Sequence, residues 1–380
     1  MLKFLFKIQA NPLALVKFVS WHLILALFLP IPSLFVSSKL AYAQNIQKIL
    51  VVSDESVTTY GEAVTWGLKA GIKALQIENK FSVEFTSFDF LDPLSITFLT
   101  REISSLKPVA IVAVMTEACE KVGKVTRGWS PVIFGIVCWN LSEELKSSVF
   151  RLDFNSYEEM LGNLIHVLTT KFENQRFTVL TGIHPIFMPI SKAFVFVLNE
   201  QSNIKRPIKF VILNPDQALT RARFFRIISR LATESDVLVC GLSKTLCLLS
   251  AKYLNSKKYP VKVFLPVSTA LLARRELTDF QHMVYFPIHK IEISETFTKF
   301  SDTFQKLTKT RPNLGFYPHL GFESVLILNQ ATNFCGGGSK HECIKSKLTE
   351  VSFKSMFGDL KFNADGSRVP QMGFDIKSTF

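Results

Sequence analysis

Short, unbroken apolar runs alternate along this chain with longer stretches of helical periodicity. Lys48 to Ser53, Val109 to Val114 and Val132 to Val137 are runs of this kind, dominated by Val and Ile. A strand covered on both faces needs apolar residues at every position, so these runs predict buried strands of a parallel sheet. Phe81 to Phe85 alternates instead, and helices are predicted from Glu62 to Ile77 and from Leu94 to Leu106.

A second series begins after Phe150-Arg151-Leu152-Asp153. Strands are predicted at Phe177 to Thr181, Ile208 to Leu213, Asp236 to Gly241 and Val261 to Leu265. Helices are predicted from Ser156 to Lys171, after Pro189, from Gln217 to Ala232, and in the segment ending at Asn255. Val284 to Pro287 reads as a crossing strand, followed by helices from Glu295 to Thr308 and Leu320 to Ala331. Strand–helix repetition of this form predicts an α/β fold with two doubly wound parallel-sheet lobes. No short-period repeat interrupts it, and Gly336-Gly337-Gly338 is the sole low-complexity tract.

The two ends of the chain add different information. Lys3, Lys7 and Lys17 precede an apolar run from Phe18 to Val36 that exits through Ala41-Tyr42-Ala43. Basic, apolar and small-x-small regions in that order predict a secretory signal cleaved after Ala43. An uncleaved anchor is the rival reading, opposed by Pro30 and Pro32 within the run. At the other end, Leu360 and Phe362 share one face of a short strand, and Asn363-Ala364-Asp365-Gly366 supplies a tight turn. A calcium loop here would need an acid in place of Lys361 and a Glu in place of Met372.

The chain carries a formal +13 over 380 residues, four of those charges being Lys3, Lys7, Lys17 and Lys39. The remaining bases are dispersed, without a basic helix or a nucleic-acid motif, so a solvated basic surface is expected rather than a nucleic-acid partner. An exported protein with six cysteines can form disulfides. Cys335 and Cys343 flank the glycine loop and are the expected pair; zinc with His341 would need a Cys-x-x-Cys or a second His. The other four cysteines adjoin apolar runs and read as small buried residues.

Several motifs occur together in order: Tyr60-Gly61-Glu62 with Trp66-Gly67, Asp92-Pro93, Phe150-Arg151, Arg311-Pro312-Asn313, Phe322-Glu323-Ser324-Val325, and the closing Phe357-Gly358-Asp359-Leu360-Lys361-Phe362-Asn363 hairpin. In this collinear order the sequence resembles the type I periplasmic binding proteins, specifically the branched-chain amino acid (Leu/Ile/Val)-binding group of ABC transporter substrate-binding proteins. The resemblance implies two lobes joined by a three-crossing hinge, the Venus-flytrap arrangement. It divides the chain into a signal peptide (1–43), a first lobe (44–150 with 288–356) and a second lobe (151–287 with 357–380).

Ligands of open parallel sheets sit at the carboxyl ends of strands, where helix N-termini offer free N–H groups. The candidates are therefore Tyr60, Thr116, Glu117, Cys138 and Trp139 in the first lobe, and His184, Ser243 and Val267 in the second. Each has a plainer reading: Trp139 as packing, Glu117 as a helix-start acid, His184 as a turn residue, Tyr60 as surface. Against the resembled family the pattern is altered. Thr116-Glu117-Ala118 replaces a Ser-rich turn, and Val267 stands where an acid would meet the ligand ammonium. An unpaired ammonium in a closed cleft costs several kcal/mol, so an ordinary α-amino acid is disfavoured.

No nucleophile elbow, His-Glu-x-x-His or phosphate-binding Gly-Lys loop appears, so no enzymatic activity, cofactor or metal is expected. The resemblance implies a monomeric periplasmic protein that takes a small solute to an ABC permease in the inner membrane. The alternative is a periplasmic interaction or regulatory protein that keeps the fold and binds no small molecule.

Overall fold

The computed structural model describes residues 46–127, 131–139, 141–173, 175–182, 209–213, 220–242, 244–265, 283–289, 294–309, 316–336, 341–370 and 373–377. The signal-like segment, the helix expected after Pro189 and the Arg311-Pro312-Asn313 motif lie outside these residues.

The first series forms a five-stranded sheet in the order β2-β1-β3-β4-β5. Its strands are β1 (Gln47–Asp54), β2 (Phe81–Phe88), β3 (Ala110–Val114), β4 (Val132–Ile136) and β5 (Val149–Arg151), all parallel to their neighbours. The reason for the unbroken apolar runs is visible in the two cores. Ile49 and Val51 point to one face, and Leu50 and Val52 to the other. The first face is covered by helices α1 (Thr58–Ala74) and α9 (Phe316–Phe334), the second by α2 (Ser95–Leu106) and α3 (Thr116–Val125). With both faces covered, no position along β3 or β4 can be polar, and every residue in them is buried.

The second sheet runs β14-β10-β9-β8-β6-β7. Its parallel strands are β6 (Phe177–Gly182), β7 (Lys209–Leu213), β8 (Val237–Gly241), β9 (Lys262–Phe264) and β10 (Val284–His289). Helix α5 (Tyr157–Lys171) covers one face through Leu164, Ile165 and Leu168. Helices α6 (Arg221–Glu234) and α7 (Lys244–Ser256) cover the other through Phe224, Ile228, Ala251 and Leu254. Three further helices are described: α4 (Glu143–Lys146), α8 (Glu295–Thr308) and α10 (His341–Glu350).

The closing hairpin departs from a simple return into the second lobe. Strands β11 (Phe353–Ser355), β12 (Gly358–Phe362) and β13 (Arg368–Val369) form a separate antiparallel sheet. Leu360 and Phe362 bury in the core that contains Phe150, with the Phe150 and Phe362 rings edge to face at 5.2 Å. Gly366, at φ +71°, lies so close to the Val149 carbonyl that a Cβ there would meet it at 2.2 Å. Only the last strand, β14 (Phe374–Lys377), joins the second sheet, antiparallel to β10.

Disulfides join Cys335 to Cys343, as the spacing suggested, and also Cys119 to Cys138 and Cys240 to Cys247. The reading of those four as small buried residues without partners is corrected: Cys138, just after β4, lies against Cys119 of α3, and Cys240 in β8 meets Cys247 in the first turns of α7 across a local strand-to-helix turn. Among the described residues no helix is long and apolar enough to cross a membrane.

Candidate functional site

In both sheets the strand order reverses once. The reversals fall between β1 and β3, and between β6 and β8. Crevices in open α/β sheets open at such points, beyond the carboxyl ends of the strands. In the first sheet these ends bring Asp54, Thr116 and Trp139 to one edge.

Asp54 ends β1 and accepts from the backbone N–H groups of Ser56 (2.9 Å) and Phe90 (3.2 Å). It therefore ties the β1 end to the loop after β2. Thr116 opens α3, and its hydroxyl lies 3.0 Å from the Trp139 carbonyl while accepting from the Trp139 N–H at 3.2 Å. A hydroxyl has one proton and two lone pairs. Most of that capacity is committed to the 137–139 turn, so Thr116 acts as a brace and not as a free anchor for a ligand carboxylate. Glu117 is exposed in the first turn of α3, where the helix dipole favours an acid.

Cys138 is fully buried and joined to Cys119, so its sulfur is no part of a ligand surface. Trp139 is half-buried and packs against the main core, as does Tyr60. His184, Ser243 and Val267 lie outside the described residues.

Two residues complete the rim that sequence reasoning did not single out. Tyr317, at the start of α9, is 7% exposed and stacks on Tyr60 with ring centroids 4.5 Å apart. Asp153, in the segment after β5, is fully buried, and its carboxylate accepts from the Val137 N–H at 2.8 Å. Burial pushes the Asp153 carboxyl up to about 7, against the pull of hydrogen bonds from the Val137 backbone and the Trp139 side chain and of the Arg368 charge. Burial likewise raises the Tyr60 phenol, and raises Tyr317 well above the usual range with Tyr60 and Asp153 adding to it. Both phenols are neutral at pH 7. The rim thus offers aromatic faces, the N-terminal turn of α3 and one buried carboxyl that titrates near neutrality. A lone acid after an apolar strand was the only sequence signal for Asp153.

Between the segment 151–156 and the closing hairpin lies a cavity of about 510 Å³ lined by Lys146, Arg151, Asn155, Glu159, Asp365 and Arg368 among others. Arg368 donates to the Leu152 carbonyl (2.6 Å) and to Glu323 of α9 (3.1 Å), with both side chains almost fully buried. Arg151 donates to the Asp365 carbonyl at 2.9 Å. Among the described residues no cluster of His, Cys, Asp and Glu is suited to a metal ion.

No protein-family model matches the sequence, and no curated protein does. Solved structures do resemble it. A solute-binding protein of an ABC transporter from R. palustris, in complex with benzoate, is 15% identical and superposes with a TM-score of 0.65 over 86% of this chain and 91% of its own. An ABC transporter substrate-binding protein from Sphaerobacter thermophilus is 13% identical, with a TM-score of 0.67 over 86% and 91%. A leucine-binding protein from Thermotoga maritima is 14% identical, with a TM-score of 0.63 over 85% and 93%. The chain therefore has the fold of the type I periplasmic binding proteins.

Proposed function

We propose that this protein is the solute-binding component of an ABC importer and that its solute is a flat aromatic acid. The observation that carries the reading is the stacked Tyr60–Tyr317 pair at the strand-end edge that also holds the half-buried Trp139. Aromatic faces of this kind favour planar, weakly polar solutes, by about 0.5–1.5 kcal/mol per stacked pair beyond area burial. Val267 in place of an acid removes the partner an ammonium group would need. Proteins of the same fold are solved with benzoate, 3,4-dihydroxybenzoic acid and 4-hydroxybenzoate.

The mechanism is closure of the two lobes around the solute, which binds the closed form better and so shifts the population toward it. The protein is read as an exported monomer without enzymatic activity, partnered by an inner-membrane permease. Thermal unfolding against a panel of benzoates, branched-chain amino acids and amides is the test. A ligand at a hundred times its Kd stabilises by about 2.7 kcal/mol, so a benzoate-specific rise of the midpoint supports the reading. A rise with Leu, Ile or Val instead would move the solute class to amino acids.

The second reading is an interaction protein that has kept the fold and lost the solute. The committed Thr116 hydroxyl and the buried Cys119–Cys138 bridge favour it, since both remove polar anchors from the rim. A flat response to the whole panel, with envelope capture of a partner other than a permease, is what that reading expects.

A further inference from the structure

We infer that the exposed face of helix α2 is a self-association surface, on which two copies of this chain pack α2 against α2 about a two-fold axis. It stands apart from the solute site, and the monomer of the importer reading is the dissociated end of the same equilibrium.

Helix α2 is apolar on two sides. Leu99 and Ile103, four residues apart, are buried in the core on the second face of the first sheet. The other side has no such cover. Leu91 is 91% exposed, Leu94 59% and Phe98 51%, the first two being the most exposed large apolar residues among those described. Hydrogen-bonded turns lead straight into the helix: the Asp92 N–H donates to the Asp89 carbonyl (3.0 Å) and the Ser95 N–H to the Asp92 carbonyl (3.1 Å). Leu91, Leu94 and Phe98 therefore recur at helical spacing, three and then four apart, and line one side. Asp54 holds the Phe90 N–H at 3.2 Å, which fixes this turn to the end of β1. Scattered apolar residues are ordinary on a surface, whereas an apolar stripe on an ordered element marks an interface.

Charge selects the occupant. Asp89 and Asp92, both exposed, lie at one end of the stripe, and each spends one oxygen on a backbone N–H, of Leu91 and Leu94, at 2.9 Å. Arg101 is exposed at the other end, three residues past Phe98 on the same side, and no acid among the described residues pairs with it. A stripe with acids at one end and a base at the other complements itself when turned end for end. With the axis midway between Leu94 and Phe98, Leu94 meets Phe98 of the second copy. Arg101 then comes level with the Leu91–Asp92 turn of that copy, where a guanidinium can meet a carboxylate through two bonds. Every contact forms twice, as an isologous interface requires. An anionic bilayer would also cover apolar side chains, but the two acids repel it. Three apolar side chains per copy make a small contact, so the association is weak and reversible.

Sedimentation equilibrium of the exported protein, without solute, over about a hundredfold range of concentration is the test. The average mass should climb from one chain toward two and stop there, because a two-fold contact closes on itself. Leu94→Asp, at an exposed position, should hold the protein at the mass of one chain, and Arg101→Glu should weaken association at least tenfold. Ile212→Thr, at an exposed apolar residue of the second sheet, should change nothing. If Leu94→Asp does not fold, Phe98→Ser on the same side takes its place. A single-chain mass at every concentration overturns the inference. So does association that the α2 variants leave intact, or that Ile212→Thr weakens equally. Binding to phosphatidylglycerol vesicles that Leu94→Asp abolishes, without self-association, would give the face to the membrane and overturn it too. No solute enters these measurements, so their failure leaves the importer reading standing, and a flat solute panel leaves this inference standing.

Discussion

Val137 is β-branched and yet sits at φ +59°, a conformation that costs such a residue about 1–3 kcal/mol. It persists because its N–H is held by the buried Asp153 carboxylate, while the next-but-one residue is braced by Thr116. Asp153 thereby shapes the turn that presents Trp139. The carboxyl titrates near 7 in the folded protein and near 3.9 when unfolded. A folded value above the unfolded one means that the native state binds the extra proton. The stabilisation is complete below about pH 4 and is lost as the pH rises through 7. Stability should therefore fall by about 2–3 kcal/mol between pH 5 and 8 from this group. Asp153→Asn, which keeps an oxygen for Val137, should flatten that dependence in urea titrations; an unchanged slope would show that Asp153 is not its source. At the same rim, Trp139→Ala should weaken binding of any identified aromatic acid at least tenfold, about 1.4 kcal/mol, without changing the unfolding midpoint of the solute-free protein by more than the lost packing. Unchanged affinity by calorimetry would return Trp139 to a packing role.

Among the described elements, α1 and α9 approach each other closely. A Cβ on Gly67 would lie 2.0 Å from the Pro318 carbonyl, and one on Gly321 would lie 2.2 Å from the Val64 carbonyl. Both obstacles are backbone, so no rotamer change relieves them and the helices must move apart. Gly67→Ala gains about 1 kcal/mol of helix propensity, but separating packed helices costs about 1–3 kcal/mol or more. The expected outcome is net destabilisation, with Gly67→Ala and Gly321→Ala less than additive because they relieve the same contact. Double-mutant thermal unfolding checks it. Elements of this kind were largely legible in the sequence, since a strand covered on both faces must be apolar throughout and β3 and β4 are. Their limits were less so. Helix α1 begins at Thr58 rather than Glu62 because the 3-10 turn Glu55–Val57, capped by Asp54, feeds straight into it. Thr116, Trp139 and Tyr60 could be placed at the rim by the strand-end rule. Tyr317 and the Cys119–Cys138 bridge could not, because nothing local in the chain records which helix start lies over which strand end.

At the scale of the molecule, the first and the last of the described connections between the two sheets meet at one buried ion pair. Arg368 of β13 reaches the Leu152 carbonyl in the first connection and Glu323 in α9, while Glu323 also receives the Ser355 hydroxyl from β11. Four separate segments, distant in sequence, are thus fixed by two side chains that water does not reach. Such a pair contributes little net stability against a well-packed apolar replacement, yet removing one partner strands the other charge in the interior, at about 3–5 kcal/mol. Arg368→Met should therefore destabilise the protein by about that amount, and Glu323→Leu should do the same. The double variant should recover most of the loss, because no uncompensated charge remains. Its recovered stability would still lack the directional bonds to Leu152 and Ser355, so its solute affinity should differ from that of the parent protein even where its unfolding midpoint does not. Urea denaturation of the four proteins, followed by solute titration of the double variant, separates the two roles. Full recovery of stability with unaltered affinity would mean that the pair only fills space; recovery of stability with altered affinity would place it in the hinge that sets lobe closure.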